Sequence, residues 1–404
     1  MQAAGSALLA RYDAVDPEVV ANPYPEFARL RAAGPLCRIG PGTYGVVRHA
    51  EVAALQKDPR LSHSFPKDFY RLSVGDGPTA EWLPRLMAGA DPPEHTRLRR
   101  LVAVAFRPHV IRNLRPRIEQ LVDGYIEAGL ERGEFDAVRD LAFPLTTTLL
   151  CELIGIPSER WPEMPQATDL GLAFTGRIFD RPDAGAEAAD EALEWMRALI
   201  RELIEVRRRE PAEDLLSDML AAEADGDRLT YEEIVDNTLM TFGAGFETSI
   251  GMIATGYDAL LDHPGELRRL RDDPSLVPLA VEEFLRYDAP IQAGVRRVLE
   301  PVEIGGRVLR PGRALVLLIG AANHDERVFA DPARLDVGRD PNPHVSFGGG
   351  WHLCLGAALS RLEGEIVFGR LLERFSSIER AAPAVRRPSP NFRTLDSVPV
   401  RVRP

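Results

Sequence analysis

A chain of 404 residues, 45% hydrophobic and 27% charged, has the make-up of a folded globular protein, with room for one large domain or two ordinary ones. Its formal net charge of −12 argues against general nucleic-acid binding. Three cysteines, Cys37, Cys151 and Cys354, cannot all pair and match no zinc-knuckle spacing. With no signal-type apolar core near the start and no stretch able to span a bilayer, a reducing cytoplasm is the expected location, away from membranes.

Residues 25–33 read as a short helix stopped by Gly34-Pro35, residues 44–48 as a strand, and the stretch from His49 as a second short helix. From 62 to 89 the pattern dissolves into Gly, Pro and scattered aromatics, which predicts a long functional loop. Helical periodicity resumes at Pro93 and runs, with breaks, to about His263. Residues 230–261 are the longest candidate, opened by a capping box of Thr230 and Glu233. Past Asp236 this helix is apolar all round, so it is expected at the centre of the core. After Pro301 the period shortens to a hairpin around Gly305-Gly306 and a buried strand within "RPGRALVLLIG". No repeat and no linker divides the chain. The expectation is one domain over residues 1–404, mainly α with a minor β region.

The stretch "SFGGGWHLCLG", residues 346–356, puts Cys354 behind flexible backbone and just ahead of a helical pattern. Free N–H groups at a helix start favour thiolate over thiol, and a thiolate is a nucleophile or a metal ligand. The upstream glycines leave room for a bulky flat group. A buried structural cysteine is the plain alternative. The string Phe347, Gly348, Gly350, His352, Cys354, Gly356 resembles the haem-binding loop of the cytochrome P-450 family, in its soluble bacterial branch. That resemblance implies haem b between the long central helix and the cysteine loop. Cys354 is then the axial ligand of the iron, Phe347 packs beside it, Gly348 belongs to the loop, and the N–H of Gly356 bonds the sulfur.

Other stretches carry the same resemblance in the expected order. "AGFETS" puts Ala244 and Gly245 against the macrocycle, Thr248 beside dioxygen and Glu247 in a proton relay, with a structural ion pair as Glu247's other reading. Gly243 and Gly245, poor helix formers, would be explained by a flat group on that face. "EEFLR" supplies Glu283 and Arg286, three apart on one face, and Arg339 is their implied partner before the haem loop. His95, Arg99, Arg296 and His352 are the implied partners of the haem propionates.

The implied activity is O2-dependent hydroxylation or other oxidation of a mostly apolar small molecule, in specialised-metabolite biosynthesis. Electrons would come from NAD(P)H through a ferredoxin reductase and a ferredoxin. Oxidative C–C or C–O coupling, peroxide-driven oxidation on the same haem, and a non-enzymatic haem sensor or carrier are the alternatives. Seven arginines between His95 and Arg117, with no acid among them, form a candidate docking patch for an acidic electron carrier. By the same resemblance Phe65, Phe69, Trp82, Leu83, Leu86, Phe174, Phe179, Met240, Ile291, Val295 and Phe392 are cavity candidates, with Gln292 as a polar anchor.

Overall fold

The structure is a computed structural model, and it describes residues 8–167, 186–224 and 226–403. Eight helices frame the site: α1 (Tyr24–Ala33), α2 (Glu94–Val102), α3 (Arg115–Arg132), α4 (Phe143–Ile154), α5 (Ala186–Arg209), α6 (Tyr231–Asp262), α7 (Val277–Tyr287) and α8 (Ala357–Arg374). Helix α6 is the axle. Thr230 caps it, its hydroxyl accepting from the Glu233 N–H while the Glu233 carboxylate accepts from the Thr230 N–H at 2.7 Å. Its 32 residues span about 48 Å at 1.5 Å each, and most of them from Ile234 to Leu260 are buried. Helices α4, α5, α7 and α8 pack around it, so an all-round apolar surface is what this position demands.

The β region is a five-stranded sheet of β1 (Leu36–Gly40), β2 (Thr43–Val46), β3 (Leu61–Ser62), β4 (Ala293–Val298) and β5 (Ala314–Leu318), in the order β1-β2-β5-β4-β3. Only the β2–β5 pairing is parallel. The hairpin Val302–Ile304 with Arg307–Leu309 turns at Gly305 and Gly306, whose φ values of 58° and 77° are left-handed, as the Gly-Gly pair required. Arg296 sits on β4 and His63 directly after β3, so this sheet delivers two basic side chains to one place.

The expected loop over 62–89 is instead two short helices, Lys67–Val74 and Pro78–Trp82, followed by tight 3-10 turns. Elements of eight and five residues are too short to print a helical period on the sequence. Among the described residues no helix is long and apolar enough to cross a membrane.

Candidate functional site

The cysteine loop is built on two left-handed glycines, Gly348 (φ 72°) and Gly350 (φ 64°). A Cβ on Gly350 would lie 3.1 Å from the Lys57 Cα and 3.2 Å from the Gln56 carbonyl oxygen, so the loop touches backbone there that a side chain would push away. The Cys354 N–H donates to the Phe347 carbonyl at 2.9 Å, closing the loop. Asn323 fastens its near end, accepting from the Val345 N–H at 2.9 Å and donating to Ser346 Oγ at 2.8 Å. The Arg361 guanidinium lies 4.5 Å over the Phe347 ring.

Helix α8 begins at Ala357 with Gly356 as its cap, so Cys354 stands just ahead of the helix and not in its first turn. The Gly356 and Ala357 N–H groups still reach the sulfur, and the guanidiniums of Arg99 and Arg361 act on it in the same sense. Cys354 is exposed, yet the protein crowded around its sulfur is the larger effect and pushes the thiol up. The expected preference for thiolate is therefore not set by the polypeptide alone.

In the middle of α6 the buried surface is broken by one stripe. Ala244, Gly245 and Thr248 are half-buried, while Phe242, Gly243, Phe246, Glu247 and Ser249 around them are buried. The Thr248 hydroxyl donates to the Ala244 carbonyl at 2.8 Å, the back-bonded arrangement. A Cβ on Gly245 would sit 3.0 Å from Leu150 Cδ2, so the glycine also eases the crossing of α6 on α4. Glu247 turns off the stripe and pairs with Arg387 at 3.1 Å, which also bonds Asp396 at 2.7 Å. A recess of about 280 Å³ lies at this ion pair. Directly beside the stripe, α8 meets α6 where the Ser249 hydroxyl bonds the carboxyl of buried Glu363.

The basic residues do come together. His95 is 2% exposed, and neither of its ring nitrogens has a hydrogen-bond partner. Its ring centroid lies 4.1 Å from that of His352, whose Nε2 is also buried without a partner. Arg296 is buried too, its guanidinium pushed down to about 10 by desolvation, and the one carboxylate acting on it is Asp91. Burial likewise drives the His352 imidazole down to about 3, with His95, Arg296 and Arg99 adding to the effect. Arg99 donates to the Leu353 carbonyl at 2.7 Å, tying this cluster to the cysteine loop. A buried guanidinium and buried imidazole nitrogens without partners are each costly unless a polar or anionic group joins them. The donor set fits a flat group carrying carboxylates, with a sulfur ligand beside it.

His63 belongs to this cluster and escaped the sequence reading. Its ring stacks on His352 with centroids 3.4 Å apart and planes 19° apart. Nothing in the spacing of "LSHSFP" marks it, because a β3 end and a loop position are joined only by the fold.

The three predicted structural residues form one buried network. Glu283 accepts from Arg286 at 2.7 and 2.8 Å and from Arg339 at 3.0 Å. Asn342 and the Asp336 N–H complete the carboxylate, and Arg286 spends its remaining donors on the Asn323, Pro332 and Arg334 carbonyls. This locks α7 to the segment leading into the cysteine loop.

The arginine run is not a bare cationic patch. Arg97 pairs with Glu94, Glu233 and Asp227, Arg115 with Glu119 and Glu365, and Arg117 with Glu152 at 2.6 Å. Glu94 and Glu119 flank the run, while Glu152, Asp227, Glu233 and Glu365 come from elsewhere in the chain, invisible to a local reading of charge. Arg107 and Arg112 are exposed. Of the cavity candidates, Trp82, Leu86 and Phe392 are fully buried core. Gln292 is internal, donating to the Ala289 carbonyl at 2.8 Å. Phe65 and Phe69 stack at 4.0 Å, and Phe69 and Val295 face a recess of about 330 Å³. Phe174 and Phe179 lie outside the described residues.

Residues 177–392 match the family model described as cytochrome P450. The chain is 37% identical to vitamin D(3) 25-hydroxylase of Pseudonocardia autotrophica, over 95% of this chain and 94% of that one. It is 36% identical to the cytochrome P450 monooxygenase PikC of Streptomyces venezuelae, over 96% and 93% of the two chains. The crystal structure of the myxobacterial cytochrome P450 CYP267B1 with myristic acid is 38% identical and superposes with a TM-score of 0.87, covering 96% of this chain and 98% of the other.

Proposed function

The chain belongs to the cytochrome P450 family and is a haem-dependent monooxygenase, and from there we propose how its own residues divide the work. When bound, haem supplies the activation of dioxygen and the transfer of one oxygen atom to the substrate. Cys354 would hold the iron through its sulfur, steadied by the Gly356 and Ala357 N–H groups. His95, Arg99, Arg296 and His352 would hold the haem carboxylates. The carrying observation is the convergence of these basic groups, two of them with orphaned ring nitrogens, on the loop that presents Cys354.

Thr248 is the proton-handling hydroxyl of the site. Its stripe with Ala244 is where the buried central helix opens. Glu247 would exchange protons with solvent by parting from Arg387, whose second partner Asp396 can keep the guanidinium in place. Glu283, Arg286 and Arg339 hold the loop in position and do no chemistry. Residues 1–404 act as one haem-thiolate domain in the cytoplasm.

The substrate is a mostly apolar small molecule, and the role is in specialised metabolism. A relative named for vitamin D(3), and a neighbour holding myristic acid, support an apolar guest. Electrons come from NAD(P)H through a ferredoxin reductase and a ferredoxin, docking by way of exposed Arg112.

Thr248→Ala tests this assignment. The variant keeps haem and fold, since one back-bond on a long buried helix is all it loses. Electron consumption continues but ends in hydrogen peroxide instead of product. Unchanged coupling of electrons to product rejects the role.

A further inference from the structure

Five basic side chains meet at the cluster described above, and His63 is the one that no motif accounts for. It stands in the turn after β3, with its backbone N–H on Asp91 at 3.0 Å and the neighbouring Ser62 hydroxyl on the other oxygen of Asp91 at 2.5 Å. Asp91 is thus already engaged by uncharged donors, and Asp58, which lines the same recess, by Arg60. The His63 ring hydrogen-bonds the Ala88 carbonyl and the His352 ring that of Ala90. Two near-parallel rings anchored on carbonyls two residues apart leave the second nitrogen of each for another partner. Burial is the largest effect lowering the His63 imidazole, and Arg296, His352 and His95 act on it in the same sense. Packing a third histidine against two others and an arginine is unfavourable for the polypeptide alone, unless an anion lies among them.

Among the described residues no group of three or more His, Cys, Asp or Glu is placed to hold a metal ion, and stacked rings do not converge on a point. A carboxylate suits the arrangement. A carboxylate beside two stacked imidazoles favours their protonated form, in which the second nitrogen of each ring also bears a proton. Its two oxygens can then take one N–H from each of two rings stacked at 3.4 Å, and a charge-assisted bond of this kind is stronger than a neutral one. We propose that His63 is a further haem-carboxylate ligand, sharing one carboxylate with His352. This rests on the haem-site reading above.

The test is the rate at which the purified holoenzyme gives up haem to excess apomyoglobin. His63→Phe keeps a ring of similar shape against His352 but removes both nitrogens. His63→Gln keeps a donor without the ring. Haem loss about tenfold faster in His63→Phe, with His63→Gln close to the unaltered protein, is the expected result; tenfold corresponds to about 1.4 kcal/mol. Unchanged loss from His63→Phe overturns the inference. Equal acceleration in both variants also overturns it, because the ring's packing would then be what matters. Should His63→Phe retain no haem, the Gln variant decides alone: near-normal retention supports a donor role and fast loss rejects it. The carbon monoxide spectrum of the unaltered protein separates the two levels. A thiolate-type band there with no His63 effect removes only this inference, whereas its absence removes the haem-site reading itself.

Discussion

Arg387 meets Glu247 at 3.1 Å, one residue step around the central helix from Thr248. That step is about 100°, so the acid and the hydroxyl of the "ETS" sequence face different surroundings. Glu247 looks toward a recess and an ion pair, Thr248 along the half-buried stripe. If Glu247 carries protons, Glu247→Gln lowers turnover by roughly a hundredfold, the scale of one general acid. Haem content stays the same, and the solvent deuterium isotope effect rises. Wild-type turnover in the glutamine variant would reduce Glu247 to a structural partner of Arg387.

Glu283 is the single carboxylate between the guanidiniums of Arg286 and Arg339, and all three are buried. Glu283→Gln leaves two buried cations short of a counter-charge, which costs about 3–5 kcal/mol. Urea unfolding of the variant should show a lowered midpoint and haem released early in the transition. A loss below about 1 kcal/mol contradicts the account of a buried network.

Glu363 predicts a pH dependence. Burial pushes its carboxyl up to about 7, with the Ser249 hydrogen bond pulling the other way. A carboxyl raised in the folded state contributes full stability below the ordinary carboxylate range. That contribution is lost as pH climbs toward 7, and the loss levels off above it. Glu363→Gln keeps the neutral shape and cannot ionise. Its stability relative to the unaltered protein should improve between pH 5 and 8, by on the order of 1–3 kcal/mol. Parallel stability curves across that range argue against a neutral carboxyl at this position.

Arg112 is exposed, whereas Arg97, Arg115 and Arg117 are tied to acids. Arg112→Glu is therefore the substitution expected to raise the KM for an acidic ferredoxin severalfold at low salt, with the difference fading at high salt. Arg117→Glu should act instead on stability, through repulsion of Glu152. Salt-independent kinetics identical to the unaltered protein would remove Arg112 from the docking surface.

Much of this site was legible because its signals are local. The six positions from Phe347 to Gly356, the Thr230–Glu233 cap and the Glu283–Arg286 spacing each lie within one turn or loop. Arg339 was also found, because it precedes a recognisable loop. What escaped was set by contacts between distant segments. Leu150 packs close to where a Gly245 side chain would begin, and Arg115 and Arg117 of the arginine run are paired with Glu365 and Glu152, the first of them 250 residues away. His63 joins His352 across 289 positions of sequence only because β3 ends beside the cysteine loop. The helices within 62–89 were missed for their shortness.

The central claim is that Cys354 sulfur holds haem iron. Reducing the purified, pigmented protein under carbon monoxide measures this most directly. The account predicts the strongly red-shifted band of thiolate ligation, and its disappearance in Cys354→His. A spectrum typical of imidazole ligation in the unaltered protein, or a well-folded protein without pigment, would contradict it.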